Sequence, residues 1–161
     1  MQDCNFSKWI RIKREDELKG AMLKAGNNCP GLYAIAYSDK DLHNKNFDFI
    51  EEIIYFGMSL SIKGLKGRMY QFFSSISGKG NQHSGAKRMR QDLGLKDKEW
   101  KNKIYVSLMP CLYVDVTSLL RRDMVYMGDI AKEEYVCFAN YCEKFGRLPR
   151  FNEDEFSRKK H

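Results

Sequence analysis

Two stretches decide how this chain is read: "CPGLYAIAYS", Cys29 to Ser38, and "EEIIYFGMSLSIKGLKGRMYQFF", Glu51 to Phe73. Each begins with an apolar run in which a tyrosine stands close to a glycine, Tyr33 after Gly31 and Tyr55 before Gly57. Strand-forming residues dominate both runs; Pro30 precedes the first and Gly57 bounds the second. The polar "DKDLHNKNFDF" between them reads as a loop, and so short a connection favours an antiparallel pair. Leu65, Met69, Phe72, Phe73 and Ile76 then recur at helical spacing, giving a helix with one buried face.

Working outward, "REDELKGAMLKAG" places Leu18, Ala21, Met22 and Ala25 on one helical face and predicts a stop at Gly26. "AKRMRQDL" reads as a short basic helix before Gly94. "KIYVSLMPCLYVDV" is a third strand, broken near Pro110. "TSLLRRDMVYMGD" reads as a connection, and a last helix runs from about Ile130 to Phe145, ended by Gly146 and Pro149. The order predicts an α+β fold: a three-stranded, mainly antiparallel sheet flanked by helices. With 161 residues and no linker-like tract, one domain over 1–161 is expected, with a core over about 30–152 and a helical extension over 1–29.

Composition narrows the partners. The 28 Lys+Arg exceed the 21 Asp+Glu, for a net charge of +7 that favours polyanions. Lys79, Lys87, Arg88, Arg90, Lys96, Lys98, Lys101 and Lys103 crowd one segment, which suits either a phosphate-tracking surface or an ordinary solvated face. No apolar run is long enough for a bilayer and no signal-peptide core is visible, so a cytoplasmic protein without a membrane partner is expected. The five cysteines (Cys4, Cys29, Cys111, Cys137, Cys142) show no zinc-type spacing and read as reduced, mostly buried thiols.

Two polar side chains fall where a helical projection expects apolar ones. Arg68 sits at the rim of the Leu65–Phe72–Ile76 stripe, where an arginine either covers apolar surface with its stem or serves a site. On the last helix, Ala131, Tyr135, Phe138, Tyr141, Cys142 and Phe145 form the apolar stripe; Glu134 projects within it and Glu133 towards solvent. A carboxylate so placed needs a partner, either an Arg or Tyr contact or a cation. Two strand-borne tyrosines, an arginine and one acid suit phosphodiester hydrolysis. The acid can hold a magnesium ion, the arginine can offset charge on the phosphate, and a tyrosine can take a proton from water.

These residues resemble the GIY-YIG nuclease superfamily. "GLY" (Gly31 to Tyr33) is similar to its GIY element with Leu for Ile, and "YFG" (Tyr55 to Gly57) to YIG with Phe for Ile. Ser59 stands where a small hydroxyl residue is usual, Arg68 where the family's arginine falls, Glu134 at the metal-binding glutamate (Glu133 the fallback) and Asn152 at the closing asparagine. The resemblance implies a Mg2+- or Mn2+-dependent endonuclease acting on DNA. Tyr33, Tyr55, Arg68 and Glu134 would be catalytic, with Tyr33 or Tyr55 assisting water and Glu134 holding the metal. Some relatives carry a histidine after the arginine helix, which makes His83 a further active-site or phosphate contact. Ser59, Lys63, Lys66, Lys87, Arg88 and Arg90 are the other candidate nucleic-acid contacts. Cutting both strands with one metal site calls for a homodimer or two encounters. A catalytically silent nucleic-acid-binding module on the same fold, and a basic protein-interaction domain, are the competing readings.

Overall fold

The computed structural model describes residues 5–13, 15–24, 29–96 and 98–153. An antiparallel four-stranded sheet is built from β1 (Ile10–Arg11), β2 (Gly31–Tyr37), β3 (Ile53–Ser59) and β4 (Ile104–Pro110), in the order β1-β4-β2-β3. The helices are α1 (Glu15–Lys24), α2 (Gly64–Ile76), α3 (Ser84–Asp92) and α4 (Arg121–Phe145), with a 3-10 turn at Lys98–Asn102. The α+β class and the antiparallel pairing of the two tyrosine strands are therefore observed, with one strand more than expected. The anticipated stop at Gly26, Ala25 and Cys4 lie outside the described residues.

β2 is the central strand, and its near-continuous apolar sequence follows from burial on both faces. Tyr33 and Ile35 face α2 and α3, packing with Leu65, Met69, Phe72, Ile76, Ala86 and Met89. Leu32, Ala34 and Ala36 face the other way, onto α4 and the aromatic side chains of Phe6, Trp9 and Phe47. The β2–β3 register pairs Tyr33 with Gly57 and Ile35 with Tyr55, then shifts so that Ala36 meets Ile53. Ile54 is thus the extra residue of a bulge. Because of it, Ile53 and Phe56 both pack towards α4 while Tyr55 stays on the α2 side.

Three features differ from the sequence expectation. Ahead of α1, part of the expected helical extension runs along the sheet instead: Ser7 N–H donates to the Leu108 carbonyl (2.7 Å), Leu108 N–H donates to Ser7 Oγ (3.0 Å), and β1 pairs with β4. A two-residue strand carries too little periodicity to be read in advance. The last helix begins at Arg121 rather than Ile130. Its opening turns expose Leu120, Met124 and Val125 and bury Asp123, so the apolar signal there is inverted. Its end is as expected: Gly146 takes φ 69° and donates its N–H to the Cys142 carbonyl (2.8 Å). The third strand ends at Pro110 and does not resume. Cys29, Cys111 and Cys137 are buried thiols, and Cys142 is half-buried. Among the described residues no helix is long and apolar enough to cross a membrane.

At Phe56 the outer edge of β3 is paired by a side chain. Buried Asn152 accepts from the Phe56 N–H (Oδ1, 2.8 Å) and donates to the Phe56 carbonyl (Nδ2, 2.9 Å), imitating a strand pair. Replacing Asn152 with Ala leaves both backbone groups without these partners, at a cost of roughly 2–4 kcal/mol. In a chain of this size that lowers Tm by about 5–15 °C, to be read by circular dichroism melting.

Candidate active site at the tyrosine cluster

The site begins with Gly57. Tyr33 lies opposite it across the β2–β3 ladder, and a Cβ on Gly57 would overlap Tyr33 Cζ and Oη and crowd Tyr55 Cε1. The bare backbone lets the Tyr33 ring lie across the strand and reach the helices. Tyr55 lies beside it with ring centroids 6.0 Å apart. α2 brings Arg68, whose Nε–H donates to Tyr33 Oη at 3.2 Å and whose Nη1–H donates to Gln71 Oε1 at 3.2 Å. Its guanidinium also interacts with the Tyr55 hydroxyl.

His83 completes the group, and the structure places it differently from a surface loop contact. Its side chain is 0% exposed. Nδ1 accepts the Ala86 N–H (3.1 Å), capping α3. That leaves the ring proton on Nε2, so Nε2–H donates to Tyr33 Oη at 2.8 Å. Its ring also stands edge-on to Tyr33, Tyr55 and Phe72, with centroids 5.3–6.1 Å away. The sequence signal that finds this residue is its position just before a helix, where a side-chain acceptor is wanted.

The charges follow from this geometry. Burial pushes the Tyr33 phenol up to about 12, against the Arg68 charge and its hydrogen bonds with Arg68 and Tyr55, with the Glu134 carboxylate adding a further upward push. At neutral pH Tyr33 is therefore a protonated phenol whose oxygen accepts from two donors. Burial also works against the Arg68 cation, yet the two phenols outweigh it and hold its pKa above the ordinary value. His83 is driven down to about 3, by burial first and then by the Arg68 charge.

Glu134 comes from α4, packed on the other face of the sheet. It is half-buried, on the line of Ile130, Cys137 and Tyr141. The stripe itself differs: Tyr135 is 50% exposed, and Glu133 is half-buried rather than turned to solvent. Both carboxylates act on the Cys137 thiol, which burial and then their charges push to about 12. Among the described residues no group of three or more His, Cys, Asp or Glu could hold a metal ion. One carboxylate is compatible only with a cation that keeps most of its waters, as Mg2+ does.

The other candidates separate into two sets. Lys63, Lys66 and Gln71 line an open groove of about 540 Å³ beside Arg68, and Lys87 is exposed on α3. Ser59 is buried, its hydroxyl donating to the Gly64 carbonyl (3.0 Å) at the β3–α2 turn. Arg88 donates to the Phe151 carbonyl (2.9 Å) and Arg90 to that of Ile76 (3.1 Å), closing the end of α2. Lys103 pairs with Asp39 at 2.7 Å. The basic 79–103 segment is therefore partly internal framework rather than one cationic face.

No protein-family model matches the chain, and neither a curated protein nor a solved structure matches it.

Two outcomes test the cluster. Gly57→Ala forces the Tyr33 ring off its strand and destabilises the protein by roughly 1–3 kcal/mol, measured as a lower urea midpoint. His83 has a folded pKa of about 3 against 6.5 unfolded, so its contribution is complete above 6.5 and is lost as pH falls towards 3. Wild-type stability should drop more steeply from pH 7 to pH 4 than that of His83→Asn, in urea titrations at both pH values.

Proposed function

We propose that the protein is a GIY-YIG-type endonuclease that hydrolyses phosphodiester bonds in DNA and depends on a divalent metal. The observation that carries this reading is the meeting at one phenol oxygen: Tyr33, next to Tyr55 over Gly57, accepts hydrogen bonds from Arg68 and His83. The resemblance drew Tyr33, Tyr55, Gly57 and Arg68 from separate short motifs, and the fold assembles them into one contact group.

The roles follow from the chemistry. Arg68 carries fixed positive charge at the cluster and offsets the negative charge that builds on a phosphate during displacement. A phenolate at Tyr55 or Tyr33, formed by loss of the phenol proton to solvent, would accept a proton from the attacking water, and the Arg68 and His83 donors would stabilise the charge on the Tyr33 oxygen. His83, neutral and locked in one tautomer, acts on Tyr33 as a positioning residue. Glu134, with Glu133 beside it, is the residue that would hold Mg2+ or Mn2+. Such a cation would supply further neutralisation of the phosphate and leaving oxygen.

The test is relaxation and linearisation of supercoiled plasmid in Mg2+ or Mn2+, stopped by EDTA. Arg68→Ala and Glu134→Gln should each lower the rate by about 100-fold or more, with melting temperatures near wild type. Full activity in both variants would refute the assignment. The silent DNA-binding reading draws support from the fully buried, high-pKa Tyr33 phenol. It predicts salt-sensitive DNA binding and intact plasmid with every divalent metal tried.

A further inference from the structure

Tyr70 is unexplained by the core or by the tyrosine cluster. It projects from α2, 69% exposed, two positions beyond Arg68. An isolated exposed aromatic is ordinary, but this one forms the wall between two adjoining grooves. The first, about 540 Å³, carries Lys63, Lys66, Gln71 and Gln82; the second, about 440 Å³, carries Lys19, Lys79 and Lys101 beside Phe73 and Trp100. Ser74 and Tyr70 line both. Among the described residues lining either groove there are five lysines and no carboxylate.

We propose that this face of α2 is a single-strand track, with phosphates running past the lysines and a base stacked on the Tyr70 ring. A basic groove with an exposed aromatic platform is how unpaired strands are held without sequence preference. The ring discriminates against duplex for a physical reason: inside a helix both faces of each base are already stacked, so only an unpaired or terminal base can cover Tyr70. Gln71 accepts from Arg68, so the strand in the first groove leads directly to the arginine of the cluster. The placement of the cut rests on the nuclease reading above, and the substrate it defines is DNA with unpaired nucleotides next to the cleaved bond, such as a flap or overhang.

Binding in EDTA separates the two proposals. Fluorescence anisotropy of the full chain with labelled oligothymidylate should show tighter binding than with a blunt duplex of equal length. Tyr70→Ala should weaken oligothymidylate binding roughly 5- to 100-fold, the loss of one base–aromatic stack, and leave duplex binding within about twofold. Tyr70→Phe, which keeps the stack, should bind like wild type. Lys63→Ala with Lys66→Ala should reduce the slope of log K against log salt by about 1.4, two single-strand phosphates. Equal binding by wild type and Tyr70→Ala overturns the track, as does equal affinity for duplex, or displacement of the strand by an acidic peptide at matched charge. A protein that cuts nothing yet depends on Tyr70 keeps the track and removes the nuclease reading. A nuclease indifferent to Tyr70 does the reverse.

Discussion

The contact between the Tyr33 ring and the bare backbone of Gly57 is the constraint on which the site depends. Directly opposite residues in an antiparallel ladder share a face, so any side chain at 57 would occupy the space the phenol crosses. With that space open, a residue of the central strand reaches past the neighbouring strand to a helix-borne arginine and a helix-capping histidine. The Ile54 bulge performs the complementary task. It returns Ile53 and Phe56 to the α4 face while keeping Tyr55 beside Tyr33, so each layer has its own apolar contacts.

Burial then sets the electrical character of the cluster. A phenol removed from water resists ionisation, a guanidinium beside it favours ionisation, and here desolvation is the larger influence. The imidazole is barred from carrying charge by burial and by the nearby Arg68 and Arg88 cations, so it serves as a fixed neutral donor. Hence Arg68 binds two phenols and a glutamine rather than facing a second cation on the histidine. The carboxylate of Glu134 approaches from the α4 layer, and its charge reaches Tyr33 although the two side chains belong to different sides of the sheet.

The same layered packing explains which helices present function and which supply support. α2 has Leu65, Met69, Phe72 and Ile76 in the core, Arg68 at the rim and Tyr70 outside, so one helix links the core to the cluster and to an open basic strip. α3 contributes through its cap and through Arg88 and Arg90, which bind main-chain carbonyls. α4 is anchored by Tyr141, whose hydroxyl lies 3.1 Å from both the Glu51 and Ile53 carbonyls at the start of β3.

The sequence by itself determined the parts whose signals are local. The apolar runs at 31–37, 53–57 and 104–110, the helical face from Leu65 to Ile76 and the glycine stop at 146 are visible because strand and helix periodicities act over a few residues. Arg68 at a rim and Glu134 on a core-facing line were legible for the same reason. Only the tertiary structure decided that Ile10 and Arg11 extend the sheet, because a two-residue edge strand exists through its partner and not through its own pattern. It also decided the start of α4, where exposed apolar side chains conceal the helix. His83 was legible as a histidine near a helix but not as a partner of Tyr33, because their hydrogen bond spans fifty positions. The lysines and arginines of 79–103 looked alike in sequence; what separates Arg88, Arg90 and Lys103 is that a carbonyl or carboxylate of the folded chain lies within reach, which packing alone sets.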